Sequence, residues 1–407
     1  IVVILIVCKK IALKSKLSCD FYCKCAFFVV PLQQNKSNHM KRLLFLSLLG
    51  FSIMLSSCGK HSGSSLQFDA DSARVLIEQA IADSLIPGAV LCVVDKGEIV
   101  HLEAYGYRAI VPEHEEMTTN TIFDLASVSK PTGAGTAALL LVKEGKLSVD
   151  DLVCKYIPNY HPDVTIRHLM THYSGLPAYF TAAPMEKKFL EAIGEGKVAM
   201  DTEQARRDFT IDSIARCKRP TAVDEKYRYS CLNFISLQRV VETIVGMDVN
   251  TYLREKLYGP QGWETMGWLP DKANMERIAP TEWNENAKLR GDVHDPVARV
   301  MMCGISGNAG VFATAEEIGK WAIWYMNQPQ EVREQACNAG LWTEDVQLAA
   351  DTLQTTVESR HTGYTGTNVV VWPEYDRAVV LLAHRVHPHD KGSMYRLRSG
   401  IKELVRP

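Results

Sequence analysis

The strongest constraint on the fold of this chain is that apolar β-strands occur near both of its ends, with a long helical stretch between them. Near the start, residues 89–94 are a β-rich run and residues 98–104 return with alternating character, which predicts a hairpin. Near the end, residues 367–372 and 378–383 form two more apolar strands. We therefore expect both ends of the chain to contribute to one sheet.

Helical periodicity covers most of the remaining sequence. A first helix is predicted after a cap at Asp71 or Ser72, and it ends before Pro87. Residues 395–404 predict an amphipathic closing helix. Together these patterns predict an α+β fold, an antiparallel β-sheet flanked by helices with an inserted, mainly helical subdomain. The expected boundaries are 67–134 and 283–407 for the sheet domain and 135–282 for the helical subdomain.

The first 66 residues are predicted to lie outside this fold. Residues 1–39 lack helix or strand periodicity and are interpreted as non-native upstream translation, whereas residues 40–57 have the charged start and short apolar core of a secretory signal peptide. The core ends in Leu-Ser-Ser-Cys58, which resembles the bacterial lipobox. That resemblance implies a lipid anchor on Cys58, a tether over 58–66 and a place in the bacterial cell envelope; plain secretory cleavage is the alternative.

Composition excludes some partners. A formal net charge of -2 and a pI near 6.7 leave no broad basic field for phosphate backbones, so nucleic acid is not expected as a partner. The six cysteines that follow Cys58 are widely spaced without a Cys-x-x-Cys pair, which favours free thiols over a disulfide framework. They are Cys92, Cys154, Cys217, Cys231, Cys303 and Cys337.

The most informative motif is Ser-x-x-Lys at Ser127 and Lys130. If a helix starts near Ser127, the lysine shares its face three positions later, so the amine can reach the hydroxyl. Pro131 does not oppose this, because proline is tolerated in a first helical turn. Chance occurrences of Ser-x-x-Lys are common, and the motif alone does not establish catalysis.

Two further stretches carry residues of the same chemistry. Tyr229, in Tyr-Arg-Tyr-Ser-Cys, stands just before a helical run, although a core tyrosine would give the same pattern. His361 opens His-Thr-Gly-Tyr-Thr-Gly and leads into an apolar strand, where small residues would let an acyl group lie against the strand edge; a tight turn is the alternative.

The three stretches occur in the order and spacing of the serine β-lactamase and penicillin-binding-protein superfamily, and the chain resembles its class C β-lactamase, D-Ala-D-Ala carboxypeptidase and esterase branch. The resemblance implies Ser127 as the nucleophile, Lys130 as the lysine that helps to deprotonate it and Tyr229 as the proton relay to the leaving group. A lowered pKa of the lysine or tyrosine would be needed for this activation. The backbone N–H groups of Ser127 and of Tyr364, which follows Gly363, would form the oxyanion hole.

Two departures from the family pattern concern the substrate. Cys231 stands where relatives carry Asn or Asp, so a side-chain amide that would hold substrate and Lys130 is missing. His361 replaces a lysine, and a mostly neutral imidazole offers less positive charge to a substrate carboxylate. Efficient β-lactam hydrolysis is therefore less expected than action on peptides or esters.

A zinc site is the first alternative to a serine hydrolase. His168 and His172 are four apart and could bind zinc, but the glutamate of His-Glu-x-x-His is missing, so no metal site is predicted. We expect a serine hydrolase without cofactor, acting through a Ser127 acyl-enzyme on a small-molecule or peptide substrate: a peptidoglycan-related D-amino-acid peptide or a β-lactam. The alternatives are a carboxylesterase of the same fold and a non-catalytic peptidoglycan-binding or sensor lipoprotein.

Overall fold

The structure, a computed structural model, describes residues 66–283, 285, 288–343 and 358–407. The upstream stretch, the signal peptide and the tether up to residue 65, including Cys58, lie outside the described residues, so these expectations stay predictions. No helix among the described residues combines the length and the apolar character needed to cross a bilayer.

A long antiparallel sheet organises the described chain, and its strands come from both ends as expected. The strands are β1 (Gly88–Asp95), β2 (Glu98–Ala109), β3 (Glu115–Glu116), β4 (Ile122–Asp124), β5 (Phe312–Thr314), β6 (Trp342–Thr343), β7 (Ser359–Thr362), β8 (Asn368–Trp372) and β9 (Arg377–Ala383). Seven of these described strands form one sheet in the order β3-β2-β1-β9-β8-β7-β6, while β4 and β5 pair separately.

The predicted hairpin and the joining of the two ends are confirmed. β1 pairs with β2 through a turn in which Lys96 and Gly97 have positive φ of 53° and 76°, the conformation that favours a tight hairpin. β1 also pairs with β9, with Ala89 opposite Ala383. The first and last strands of the sequence pattern are thus neighbours in the sheet.

Helices cover both faces of the sheet, which confirms the predicted fold class. They are α1 (Ala70–Ala82), α2 (Thr136–Lys143), α3 (Ile166–Thr171), α4 (Ala182–Gly194), α5 (Glu203–Arg216), α6 (Cys231–Val245), α7 (Val249–Leu253), α8 (Pro296–Val300), α9 (Ala315–Met326), α10 (Gln330–Gln335) and α11 (Tyr395–Val405). Because β1 is buried on both sides, its alternate side chains pack into two cores, one with α1 and α11 and the other with α9.

The segment between β4 and β5 contains α2 to α8 and carries most of the larger core. Phe189, Phe234 and Trp268 are among its buried side chains. The predicted start of α1 is wrong by a few residues, because Asp69 caps it by accepting the Ser72 N–H at 2.9 Å. Among the described residues all six cysteines are free, as expected, although Cys92 is the one that is buried.

A buried ion pair ties the hairpin to the C-terminal helix and generates a stability prediction. Arg377 Nε donates to Asp95 Oδ1 at 2.9 Å, Nη2 forms an ion pair with the same oxygen at 2.9 Å, and Nη1 donates to the Val405 carbonyl. Arg377→Leu leaves the Asp95 carboxylate buried without its cation, so we expect the free energy of unfolding to fall by roughly 3–5 kcal/mol in urea denaturation.

The control for this change is Arg396→Leu, an exposed arginine of α11. Its effect should stay within about 0.5 kcal/mol. Equal denaturation midpoints for the two variants would contradict the role given to the ion pair.

Candidate active site

Ser127 lies in a short turn that leads from β4 into the helices. A 3-10 turn at Ala126–Val128 is followed by a π-helical segment at Lys130–Gly135 and then by α2, so the helix predicted to start at Ser127 begins irregularly. Ala126 has a left-handed φ of 47°, a strained conformation for alanine, and Asp124 stabilises it by accepting the Ala126 N–H at 2.8 Å. This turn leaves Ser127 partly exposed between buried neighbours.

Lys130 is fully buried, and its ammonium has three acceptors. Nζ lies 3.0 Å from Ser127 Oγ, 2.9 Å from the Asn308 carbonyl oxygen and 3.7 Å from Cys231 Sγ. An ammonium has three N–H donors, so this set satisfies it fully. The sequence predicted the reach to Ser127, but it gave no sign of the Asn308 carbonyl.

Tyr229 also bonds to the hydroxyl of Ser127. Its Oη donates to Ser127 Oγ at 2.8 Å, and the Lys130 Nζ lies 5.0 Å from the Tyr229 ring centroid. Tyr229 stands two residues before α6, as the sequence indicated, and Cys231 is the first residue of that helix. The structure therefore brings Ser127, Lys130, Tyr229 and Cys231 together.

The His-Thr-Gly segment closes the third side of the site. Gly363 follows β7, and a Cβ on it would lie 2.5 Å from the Leu125 carbonyl oxygen, so only glycine allows this approach. Thr367 Oγ1 donates to the same Leu125 carbonyl at 2.7 Å. The end of β7 is thus fixed against the turn that carries Ser127, and Tyr364 follows with 56% of its surface exposed.

His361 is placed differently from a residue that touches substrate. Its ring is fully buried, stacks on Trp342 at 4.3 Å and bonds through Nδ1 to the Thr362 carbonyl, so it lies behind the cavity wall. Burial, together with the nearby Lys130 charge, lowers the pKa of His361 from 6.5 to about 3. The imidazole is therefore neutral at pH 7, as the sequence predicted. Its burial beside Lys130 makes it more fully neutral than an exposed histidine would be.

Ser127, Lys130 and Tyr229 form the reacting trio. Neither Lys130 nor Tyr229 has the lowered pKa that was expected to activate Ser127. Burial raises the pKa of Tyr229, and the positive charge of Lys130 only partly opposes it. Burial lowers the pKa of Lys130, the ionised forms of Cys231 and Tyr229 would raise it, and the net direction is upward. In the resting site, Lys130 is an ammonium and Tyr229 is a neutral phenol.

A cavity of about 1200 Å³ opens in front of Ser127. Among its lining residues are two arginines that the sequence analysis missed, Arg385 and Arg398. Arg398 Nη2 donates to the carbonyls of Gly363 and Thr367 at 2.7 and 3.0 Å. No periodic signal distinguishes an arginine that faces this cavity from an exposed one on an amphipathic helix.

The two histidines weighed for zinc have separate partners. His168 Nδ1 accepts the Thr165 N–H at 3.0 Å, whereas His172 follows the end of α3 and contacts the Tyr229 segment. Among the described residues, no group of three or more His, Cys, Asp or Glu side chains is arranged to hold a metal ion.

A serine hydroxyl that receives hydrogen bonds from a lysine and a tyrosine, at the edge of an antiparallel sheet, defines the class of serine hydrolases. The sequence shows the family. The protein-family model described as Beta-lactamase matches residues 73–400, so the chain belongs to that family. The resemblance drawn from the three motifs is therefore confirmed.

Individual relatives are distant but cover most of the chain. An N-acetylmuramyl-L-alanine amidase from Bacillus subtilis (strain 168) is 27% identical over 365 residues, covering 77% of this chain and 80% of the relative. A putative D-alanyl-D-alanine carboxypeptidase from Escherichia coli (strain K12) is 27% identical over 409 residues, covering 86% and 92%. The solved beta-lactamase/D-alanine carboxypeptidase from Pseudomonas syringae shares the fold, with a TM-score of 0.63 at 14% identity over 83% of this chain and 99% of that one.

The low pKa of His361 generates a prediction on stability in acid. Between pH 6.5 and about 3 the unfolded chain binds a proton at this histidine and the folded chain does not, so stability falls as the pH falls. On going from about pH 7.5 to about pH 5, the wild type should lose about 2 kcal/mol more unfolding free energy than His361→Gln. Urea denaturation at the two pH values measures the difference.

The matched control is His114→Gln, a histidine exposed to solvent. Over the same pH interval, this variant should lose as much unfolding free energy as the wild type. Parallel losses in the wild type and His361→Gln would contradict the prediction.

Proposed function

We propose that this protein is a cell-envelope serine hydrolase that cleaves peptidoglycan-derived D-amino-acid peptides through an acyl-enzyme at Ser127. The observation that carries the proposal is the convergence of Lys130 Nζ and Tyr229 Oη on Ser127 Oγ, at 3.0 and 2.8 Å. Membership of the beta-lactamase family supports the reaction class. The names of two relatives, an amidase and a putative carboxypeptidase, support a substrate derived from the cell wall.

The protonation states of Lys130 and Tyr229 determine how each can act on Ser127. The resting ammonium and phenol both donate to Ser127 Oγ, so the site must first lose one proton before it can accept the proton of Ser127. The deprotonated form is shared between Lys130 and Tyr229, because the ammonium charge stabilises a phenolate beside it. Ser127 then attacks the carbonyl carbon, and its proton passes to the pair and on to the leaving amine.

Backbone donors would stabilise the charge that develops on the carbonyl oxygen. Ser127 N–H and Tyr364 N–H are the proposed oxyanion donors, each worth roughly 3–4 kcal/mol of transition-state stabilisation. The close packing of Gly363 on Leu125 holds the two segments together. Water then attacks the acyl-enzyme and releases the second product.

The charges around the cavity offer little to a substrate carboxylate, which β-lactams and peptides ending in D-Ala both carry, so the names of the relatives are what favours peptides over β-lactams. His361 is neutral and buried, so it presents no cation to a carboxylate, and the remaining cations on this side are Arg385 and Arg398. Arg385 already pairs with Asp390. A carboxylesterase is the second candidate, because Cys231 replaces the amide that would hold a peptide bond and an ester needs less of that support.

Turnover on three substrates tests this proposal. We expect the wild type to hydrolyse a D-Ala-D-Ala peptide faster than a chromogenic cephalosporin, with a short-chain nitrophenyl ester as the third substrate. Ser127→Ala should abolish turnover of all three and prevent labelling by a fluorophosphonate, because the acyl-enzyme cannot form. Tyr229→Phe should lower kcat by about a hundredfold, within the usual range for the loss of a proton-transfer group.

Ser393→Ala is the control, since Ser393 also lines the cavity and its hydroxyl accepts the Tyr395 N–H at 3.2 Å. It should be labelled and turn over substrate like the wild type. Equal labelling of Ser127→Ala and the wild type would overturn the catalytic role, and failure on all three substrates would favour the binding-protein alternative. Ester turnover without peptide turnover would favour the esterase.

The envelope location is a separate part of the proposal and depends on Cys58. The apolar run before Leu-Ser-Ser-Cys58 is the support for a diacylated N-terminus. A lipid-modified cysteine would hold the enzyme at the membrane surface, close to cell-wall substrates. No nucleic acid or metal is part of this function.

Expression of the full chain in a bacterium tests the anchor. We expect the wild type to sediment with membranes after a high-salt wash and Cys58→Ala to be released, because the acyl chains supply the membrane affinity. Cys154→Ala, which changes a thiol in the folded part, should sediment like the wild type. Identical fractionation of the Cys58→Ala variant and the wild type would contradict lipid anchoring.

A further inference from the structure

His172 is bonded to the chain on both sides of Tyr229. It follows α3 in the left-handed conformation, with φ 63° and ψ 32°, and only 1% of its surface is exposed. Its carbonyl accepts the Arg228 N–H at 2.9 Å, and its Nδ1 accepts the Ser230 N–H at 3.2 Å. The residues immediately before and after Tyr229 are therefore both held by this histidine.

A buried network fixes the orientation of the His172 ring. Ser230 N–H can only donate, so Nδ1 must be an acceptor and Nε2 carries the ring proton. Asn233 Nδ2, 3.0 Å from Nδ1, fits the same assignment, because Asn233 Oδ1 is occupied by the Ser174 hydroxyl at 2.6 Å. Two donors thus aim the ring, and neither of them belongs to the reacting trio.

The ring itself lies against Tyr229. The two centroids are 4.6 Å apart, and Trp342 contacts the same tyrosine ring at 5.7 Å. Phe234 packs against His172 at 5.5 Å. Burial, with the charge of Lys130, lowers the pKa of His172 well below its usual value, so the imidazole is neutral and adds no second cation to the site.

These contacts point to a role for a histidine that the catalytic motifs do not include. We propose that His172 is a positioning residue, which holds Tyr229 so that its hydroxyl stays on Ser127 Oγ. It acts through Tyr229 and does not take a proton from Ser127 itself. The inference rests on the proposed role of Tyr229, and it assigns His172 to the hydrolase site instead of to a zinc pair with His168.

The test is His172→Asn, measured with the nitrophenyl ester. Asparagine places an oxygen where Nδ1 stands and tolerates a left-handed φ, so the Ser230 N–H keeps an acceptor while the ring is lost. We expect kcat to fall by about tenfold or more with KM within about twofold, because misplacing a reacting group by 1 Å can cost a hundredfold in rate. His168→Asn is the same change four residues earlier on α3, and it should leave both constants unchanged.

A double-mutant cycle separates positioning from general destabilisation. With the rate of fluorophosphonate labelling as the common measurement, His172→Asn should slow labelling by about tenfold or more in the wild-type background. In a Tyr229→Phe background it should slow labelling by less than about twofold, since the hydroxyl it positions is already gone. An equal loss in both backgrounds would overturn the inference, as would a wild-type kcat for His172→Asn. If the variant does not fold, Asn233→Leu, which removes one donor to the ring, is compared in the same two backgrounds.

The proposed function and this inference fail in different ways. If Tyr229→Phe keeps full activity, the catalytic assignment of the tyrosine is wrong. If Tyr229→Phe loses activity and His172→Asn does not, the positioning role alone is wrong.

Discussion

The buried ammonium of Lys130 is the interaction on which the rest of the site depends. Its three acceptors belong to distant parts of the chain: Ser127 in the turn after β4, Cys231 at the start of α6 and the Asn308 carbonyl ahead of β5. An unpaired ammonium in this position would cost several kcal/mol. The three segments therefore have to meet before the lysine can be buried. The site and the surrounding core consequently form together.

Much of the architecture could be predicted because its signals are local. A β-rich run followed by alternating polar and apolar residues predicted the hairpin of β1 and β2. The spacing of Ser127 and Lys130 predicted their contact, since residues three apart on a helical turn face the same way. Two kinds of feature could not be predicted. The irregular π-helical start at Lys130–Gly135 has no periodic signature, and a backbone acceptor such as the Asn308 carbonyl is independent of the side chain at that position.

Two histidines near Tyr229 determine how much positive charge the site holds, and the separate sequence motifs could not reveal this. His361 and His172 are both buried and both neutral at pH 7, so Lys130 is the cation beside the reacting hydroxyl. A charged imidazole next to Lys130 would compete with the ammonium for the same acceptors. Cys231 contributes sulfur, a weak acceptor, where an amide oxygen would bind the ammonium more firmly.

The pairing of β1 with β9 has a consequence for how the chain acquires its structure. Ala89 and Ala383, about 290 positions apart, are direct partners in the middle of the sheet, and loop closure on that scale slows folding. The second edge of the first hairpin is covered only when β9 is available, so its exposed backbone is open to aggregation until β9 has been made. Completion of the sheet therefore cannot precede the synthesis of β9.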